Sequence, residues 1–138
     1  MQRHTLLILA LLGTWLTGCA SGQPTDVLVE YRREGGIAGL DDHLRIAANG
    51  SATLVRRNQR SEITLDGNTL NQLVALLDGA GFTKLPSEYA ASRAVRDAFK
   101  YSLTYKGHTV RTMDTAVPDV LQPALNLLNR IVERGGKP

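Results

Sequence analysis

From residue 26 to residue 65, apolar and polar side chains alternate in short runs. Val27, Val29 and Tyr31 make the first, which fits a half-buried strand over residues 26–33 that stops at Gly35 and Gly36. The second passes through Leu44 and Ile46 over residues 43–48. The Asn49-Gly50 pair behind it predicts a two-residue type I′ turn into a third strand over residues 51–57. Beyond a polar tip at Asn58, Gln59 and Arg60, Ile63 and Leu65 alternate with Glu62 and Thr64 as a fourth strand. No connection has the length of a parallel crossover, so the four strands are expected to form an antiparallel meander.

At Asp66 the period lengthens from two to about 3.6. Leu70, Leu73, Val74 and Leu77 fall on one helical stripe, with Asn71, Gln72 and Asp78 on the other side. Asp66, Asn68 and Thr69 are each able to cap this helix. Gly81 suits the left-handed position that ends it, with Phe82 folding back on Leu77. Residues 84–95 carry no period and hold Pro86, so they read as a connector, a helical turn over residues 89–93, or an interaction surface. Phe99, Tyr101, Leu103 and Tyr105 then alternate, and Lys106-Gly107 turns the chain into a strand over residues 109–113. That aromatic stripe reads as a core layer with its tyrosine hydroxyls at polar edges, the alternative being a carbohydrate-binding platform. Leu121, Leu125, Leu128 and Val132, with Ala124 and Ile131 beside them, mark a final helix that Pro123 keeps from starting before about residue 121. Gly135 and Gly136 end it. The order ββββ-α-ββ-α predicts an α+β fold, a mainly antiparallel sheet of about six strands with two helices on one face.

Ahead of all this stands a different pattern. A basic start (Gln2, Arg3, His4) leads into an apolar run over residues 5–16, and Leu16-Thr17-Gly18-Cys19 closes it with the only cysteine of the 138 residues. The run is shorter than the roughly 20 residues that cross a bilayer, so a cleaved leader fits better than a retained membrane helix. Its ending resembles the lipobox of bacterial lipoproteins. That resemblance implies cleavage between Gly18 and Cys19 and acyl chains on Cys19, which would hold the protein to a membrane at about 0.8 kcal/mol per buried methylene. Residues 1–18 are then the signal peptide, residues 19–25 a lipidated tether and residues 26–138 one domain. Ala20 to Thr25 would span about 20 Å when extended, at about 3.5 Å per residue. In a cell with two membranes, Ala20 rather than Asp after the cysteine implies the outer membrane, facing the periplasm or the surface.

The chain carries a net charge of +3, and +2 once Arg3 is removed, too little to argue for nucleic acid. Arg56, Arg57 and Arg60 read as a solvated hairpin tip, or else as a contact for acidic lipid or an acidic partner. His43 and His108 lack the spacing of zinc ligands, and no nucleophile elbow occurs, so neither a metal site, a cofactor nor catalytic residues are expected. Asp41-Asp42 and the pair Asp97 and Asp114 are carboxylates at expected turns and strand ends, where Asp serves turn chemistry. The loop Gly35, Gly36, Ile37, Ala38, Gly39, Leu40 is unusual, with two larger apolar side chains among three glycines. It is either a flat binding loop or a wide turn whose Ile37 and Leu40 tuck into the core.

Four stretches carry a second resemblance: Tyr31-Arg32-Arg33-Glu34-Gly35-Gly36-Ile37-Ala38-Gly39; Ala80-Gly81-Phe82 with Leu85-Pro86; Asp97-Ala98-Phe99-Lys100-Tyr101-Ser102-Leu103-Thr104; and His108-Thr109-Val110. In this order they are similar to the emfourin family, small protein inhibitors of protealysin and related thermolysin-like zinc peptidases. The resemblance implies a non-enzymatic inhibitor that fills a metallopeptidase cleft with the 35–40 loop, and the lipobox implies that it is anchored to a membrane. The alternative from a different class is an accessory or assembly lipoprotein of the cell envelope, binding a protein partner through the open face of its sheet.

Overall fold

A computed structural model describes residues 26–93 and 95–135. The expected leader, the Gly18/Cys19 cleavage site, the lipidated Cys19 and the tether all lie outside the described residues. Eight elements follow in the expected order: β1 (Val27–Gly35), β2 (Leu40–Ala47), β3 (Ser51–Arg56), β4 (Gln59–Thr64), α1 (Gly67–Gly79), β5 (Phe99–Tyr105), β6 (His108–Met113) and α2 (Gln122–Gly135). The strands form one sheet in the order β4-β3-β2-β1-β5-β6, antiparallel at every pairing. The fold is α+β. β1 lies inside the sheet, paired with β2 on one side and β5 on the other.

The period-two residues choose the core face. Val29, Tyr31, Leu44, Ile46, Leu54, Leu103, Tyr105 and Val110 are buried on it, against Leu73 and Leu77 of α1 and Ala124, Leu125, Leu128 and Val132 of α2. Of the stripe along β5, Leu103 and Tyr105 are buried beneath the helices, while Phe99 and Tyr101 are half-buried at its end. Tyrosine hydroxyls leave the core at its margins: Tyr31 donates to Asn129 Oδ1 at 2.7 Å and Tyr105 to Asp78 Oδ1 at 3.0 Å. Asp66 is the cap of α1, its Oδ1 accepting the Thr69 N–H at 2.9 Å. Gly81 takes the left-handed conformation behind α1, and a short 3-10 turn (Phe82–Lys84) buries Phe82. A second 3-10 turn (Asp119–Leu121) precedes α2 and leaves Pro123 in the first turn, where its missing N–H costs no helical bond.

The turns depart from expectation at two places: the tip after β3 is Arg57-Asn58, with Gln59 and Arg60 already in β4, and the turn before β3 differs in kind. Asn49-Gly50 is not a type I′ pair: Gly50 alone has positive φ (86°), and its N–H bonds Ala47 O at 3.0 Å across a three-residue connection, residues 48–50. Asn49 turns its side chain to the backbone instead, Oδ1 accepting from Ser51 N–H at 2.9 Å and Ser51 Oγ at 2.7 Å. The type I′ signature falls at Arg57-Asn58 (φ 47° and 66°) and Lys106-Gly107 (φ 49° and 75°). Residues 89–93 form no helical turn; nearby, Glu88 makes a parallel bridge to Arg111 of β6.

Candidate functional site

β1 and β2 stay paired to their last residues, Gly35 opposite Leu40, and residues 36–39 close the turn with Gly39 N–H on Gly36 O at 3.0 Å. Ile37 stands at the tip with 94% of its surface exposed, so it does not tuck into the core; Leu40 is half-buried. Ala38 and Gly39 are exposed beside it. The stem glycines serve close packing more than freedom. A Cβ on Gly35 (φ 101°) would sit 2.6 Å from Ala98 O, and one on Gly36 (φ 72°) 2.6 Å from the Phe99 ring. Ala98 and Phe99 lead into β5, so a neighbouring strand grips the loop at its base. At the other flank Arg57 Nη2 reaches Ala38 O at 3.5 Å.

Behind the stem the core face ends in a charged row. Arg33, Asp42 and Arg56 are cross-strand neighbours in β1, β2 and β3. Asp42 is fully buried: Oδ2 accepts from Arg33 Nε at 3.1 Å and Nη2 at 2.7 Å, and Oδ1 from Arg56 Nε at 2.7 Å. Arg33 Nη1 also donates to Asn129 Oδ1 at 3.0 Å, its guanidinium lies 5.6 Å from the centre of the Phe99 ring, and Arg56 Nη2 reaches Val132 O at 3.3 Å. The row thus ties three strands to α2. Among the described residues no buried side-chain polar atom lacks a partner. A groove of about 700 Å³ opens beside it, between Leu40, Arg57, Phe99 and Glu133. Burial drives the Tyr31 phenol far above its ordinary value, and the neighbouring Tyr101 adds to the rise.

The expected arginine tip is therefore corrected. Arg56 is bound to Asp42, and Arg60 Nε lies 2.8 Å from Glu62, because the strand parity sends them to opposite faces where carboxylates wait. Asp41 and Asp42 do not act together either: Asp41 turns out to Arg32 Nε at 3.2 Å while Asp42 turns in. Asp114 Oδ2 accepts the Phe99 N–H at 3.3 Å, and Asp97 takes a left-handed turn position. The sequence held a signal for the row that hydropathy hides. Arg33 has the parity of Val29 and Tyr31, Asp42 that of Leu44 and Ile46, and Arg56 that of Ala52 and Leu54.

His43 Nε2 lies 2.6 Å from Glu30 Oε1, and His108 Nε2 2.9 Å from Leu85 O. Among the described residues, no group of three or more His, Cys, Asp or Glu is placed to hold a metal ion, and no helix is long and apolar enough to cross a membrane. No family model and no curated protein matches the chain. What this end of the molecule offers chemically is contact: one projecting apolar side chain on a loop whose stem is held by packing, backed by a charged row already satisfied internally.

Proposed function

We propose that the chain is an exported lipoprotein, cut between Gly18 and Cys19 and held to a membrane by acyl chains on Cys19, whose domain inhibits thermolysin-like metallopeptidases. The outer membrane is its place in a cell with two membranes. The observation that carries this reading is Ile37, an aliphatic side chain 94% exposed at the tip of a loop whose stem glycines pack closely on Ala98 and Phe99. Such a side chain suits the hydrophobic pocket that these peptidases offer to substrates. A loop already ordered in the free protein also loses less conformational entropy on binding. Residue 26, where the tether would join, adjoins the opposite end of β1 from the loop. Nine strand residues at about 3.3 Å each therefore put roughly 30 Å between them, with the loop turned away from the anchored end.

The soluble domain, residues 26–138, titrated against a thermolysin-like peptidase of its own organism, should inhibit it. Ile37→Asp should weaken inhibition roughly 100-fold without changing the fold, since burying the isoleucine contributes about 2–3 kcal/mol. Peptidases left fully active at micromolar wild-type domain would discard the inhibitory reading in favour of the accessory envelope subunit. The anchor is tested separately: Cys19→Ala should abolish incorporation of labelled fatty acid, and labelling that persists would refute it.

A further inference from the structure

A second concavity lies on the face of the sheet away from the helices. Tyr89 N–H bonds Arg111 O at 2.8 Å and Arg111 N–H bonds Ser87 O at 2.8 Å, which fastens this stretch of chain to the edge of β6. The stretch walls a groove of about 740 Å³ over β1, β5 and β6. Two cross-strand rows make the floor, Arg32–Ser102–Arg111 and Glu34–Lys100–Met113. Glu34 lies opposite Lys100 in register, yet its carboxylate is 2.7 Å from Arg32 Nε on its own strand. Lys100 is left without its cross-strand partner. Among the described residues, no ion pair engages Lys100, Arg111 or Arg93, and all three are exposed around this groove. Of the two carboxylates that line the groove, Glu34 is paired with Arg32, and among the described residues no ion pair engages Glu88. Half-buried Tyr89 and Met113, with Val95 at 45% exposure, supply apolar surface between the charges.

We propose that this groove binds an acidic, extended stretch of a partner protein, its carboxylates meeting Lys100, Arg111 and Arg93 and an apolar side chain lying against Tyr89 and Val95. Charge selects an anionic ligand, and shape selects a chain: a recess between a strand face and a fastened wall admits a polypeptide, whereas a bilayer surface is too flat to enter. The volume is that of a ligand cleft. Glu34 and Lys100 directly adjoin Gly35 and Phe99 at the base of the 35–40 loop, so one protein can span both sites. The groove does not depend on the inhibitory reading and can hold if inhibition is never found.

The test uses the full chain in non-ionic detergent and a fluorescein-labelled peptide of alternating Glu and Leu, read by anisotropy. Saturable binding is expected that weakens with salt, is untouched by Ile37→Asp, and falls about tenfold or more when Lys100→Glu and Arg111→Glu are combined. Lys100→Gln with Arg111→Gln guards against misfolding and should show a smaller loss in the same direction. Equal binding by wild type and both double variants, or no binding, overturns the proposal. So does displacement of the peptide at matched charge by phosphatidylglycerol in the micelles or by a single-stranded oligonucleotide, since either would reassign the groove to lipid or nucleic acid.

Discussion

Replacing Asp42 by Ala removes the one carboxylate on which two guanidinium groups converge. Arg56 keeps 27% of its side-chain surface exposed and can swing toward water, but Arg33 keeps only 8% and cannot. Its remaining partners are Asn129 Oδ1 at 3.0 Å and the Phe99 ring at 5.6 Å, both neutral, and Glu133 at 3.7 Å, which is well exposed. The charge on Arg33 is then stranded, and breaking a buried pair in this way costs about 3–5 kcal/mol. For a domain of this size the melting temperature should fall by roughly 12–20 °C. Urea denaturation of the domain followed by circular dichroism should show the lower midpoint with an unchanged slope. Adding Arg33→Met to Asp42→Leu should restore most of the loss, because an apolar pair leaves no buried charge. A loss below about 1 kcal/mol for Asp42→Ala, or no recovery in the double variant, would refute the account of the row as a desolvated ion cluster.

Three further outcomes are expected. Gly35→Ala should cost about 2 kcal/mol or more by denaturation, from positive φ plus the approach to Ala98 O, whereas Gly39→Ala, with open space around it, should cost about 1; equal costs would mean that β5 does not grip the loop. Leu73→Ala and Leu125→Ala should each cost about 2–5 kcal/mol, and unchanged urea midpoints would place the helices elsewhere. The phenols of Tyr31 and Tyr101 are both raised, chiefly by burial, so their contribution is intact below the free-phenol value of 10.0 and is lost as pH climbs above it. The midpoint should decline on the alkaline side, less steeply in Tyr31→Phe, and a level midpoint through about pH 11 would contradict the burial.

Hydrophobic period together with turn signals located all eight elements, because each strand buries one face, each helix one stripe, and glycine-containing pairs mark where strands such as β3 and β6 begin. Asn49-Gly50 shows where such local reading stops. The dipeptide suits a type I′ turn, but the register between β2 and β3 calls for three residues, and register is set by Leu44 against Leu54 and Ile46 against Ala52 across the sheet. The charged row was hidden for a related reason. Arg56 looked like a solvated tip because charge outweighs parity in any hydropathy reading, and its carboxylate arrives from a strand 14 residues earlier. Ile37 was open in the sequence between two conformations. What decides it is the meeting of Gly36 with Phe99, residues far apart in the chain and adjacent only once β5 pairs with β1.

The position of β1 between β2 and β5 also governs how the protein bears tension. A pull applied between residue 26 and the 35–40 loop travels along the backbone of one strand that is already extended. The bonds of the two ladders and the contacts that Arg33 makes in the charged row run across the line of force, and the helices lie off it. A partner dragged away while still gripping the loop would therefore tighten β1 instead of peeling strands from the sheet, and the hold should give way at the contact before the fold does.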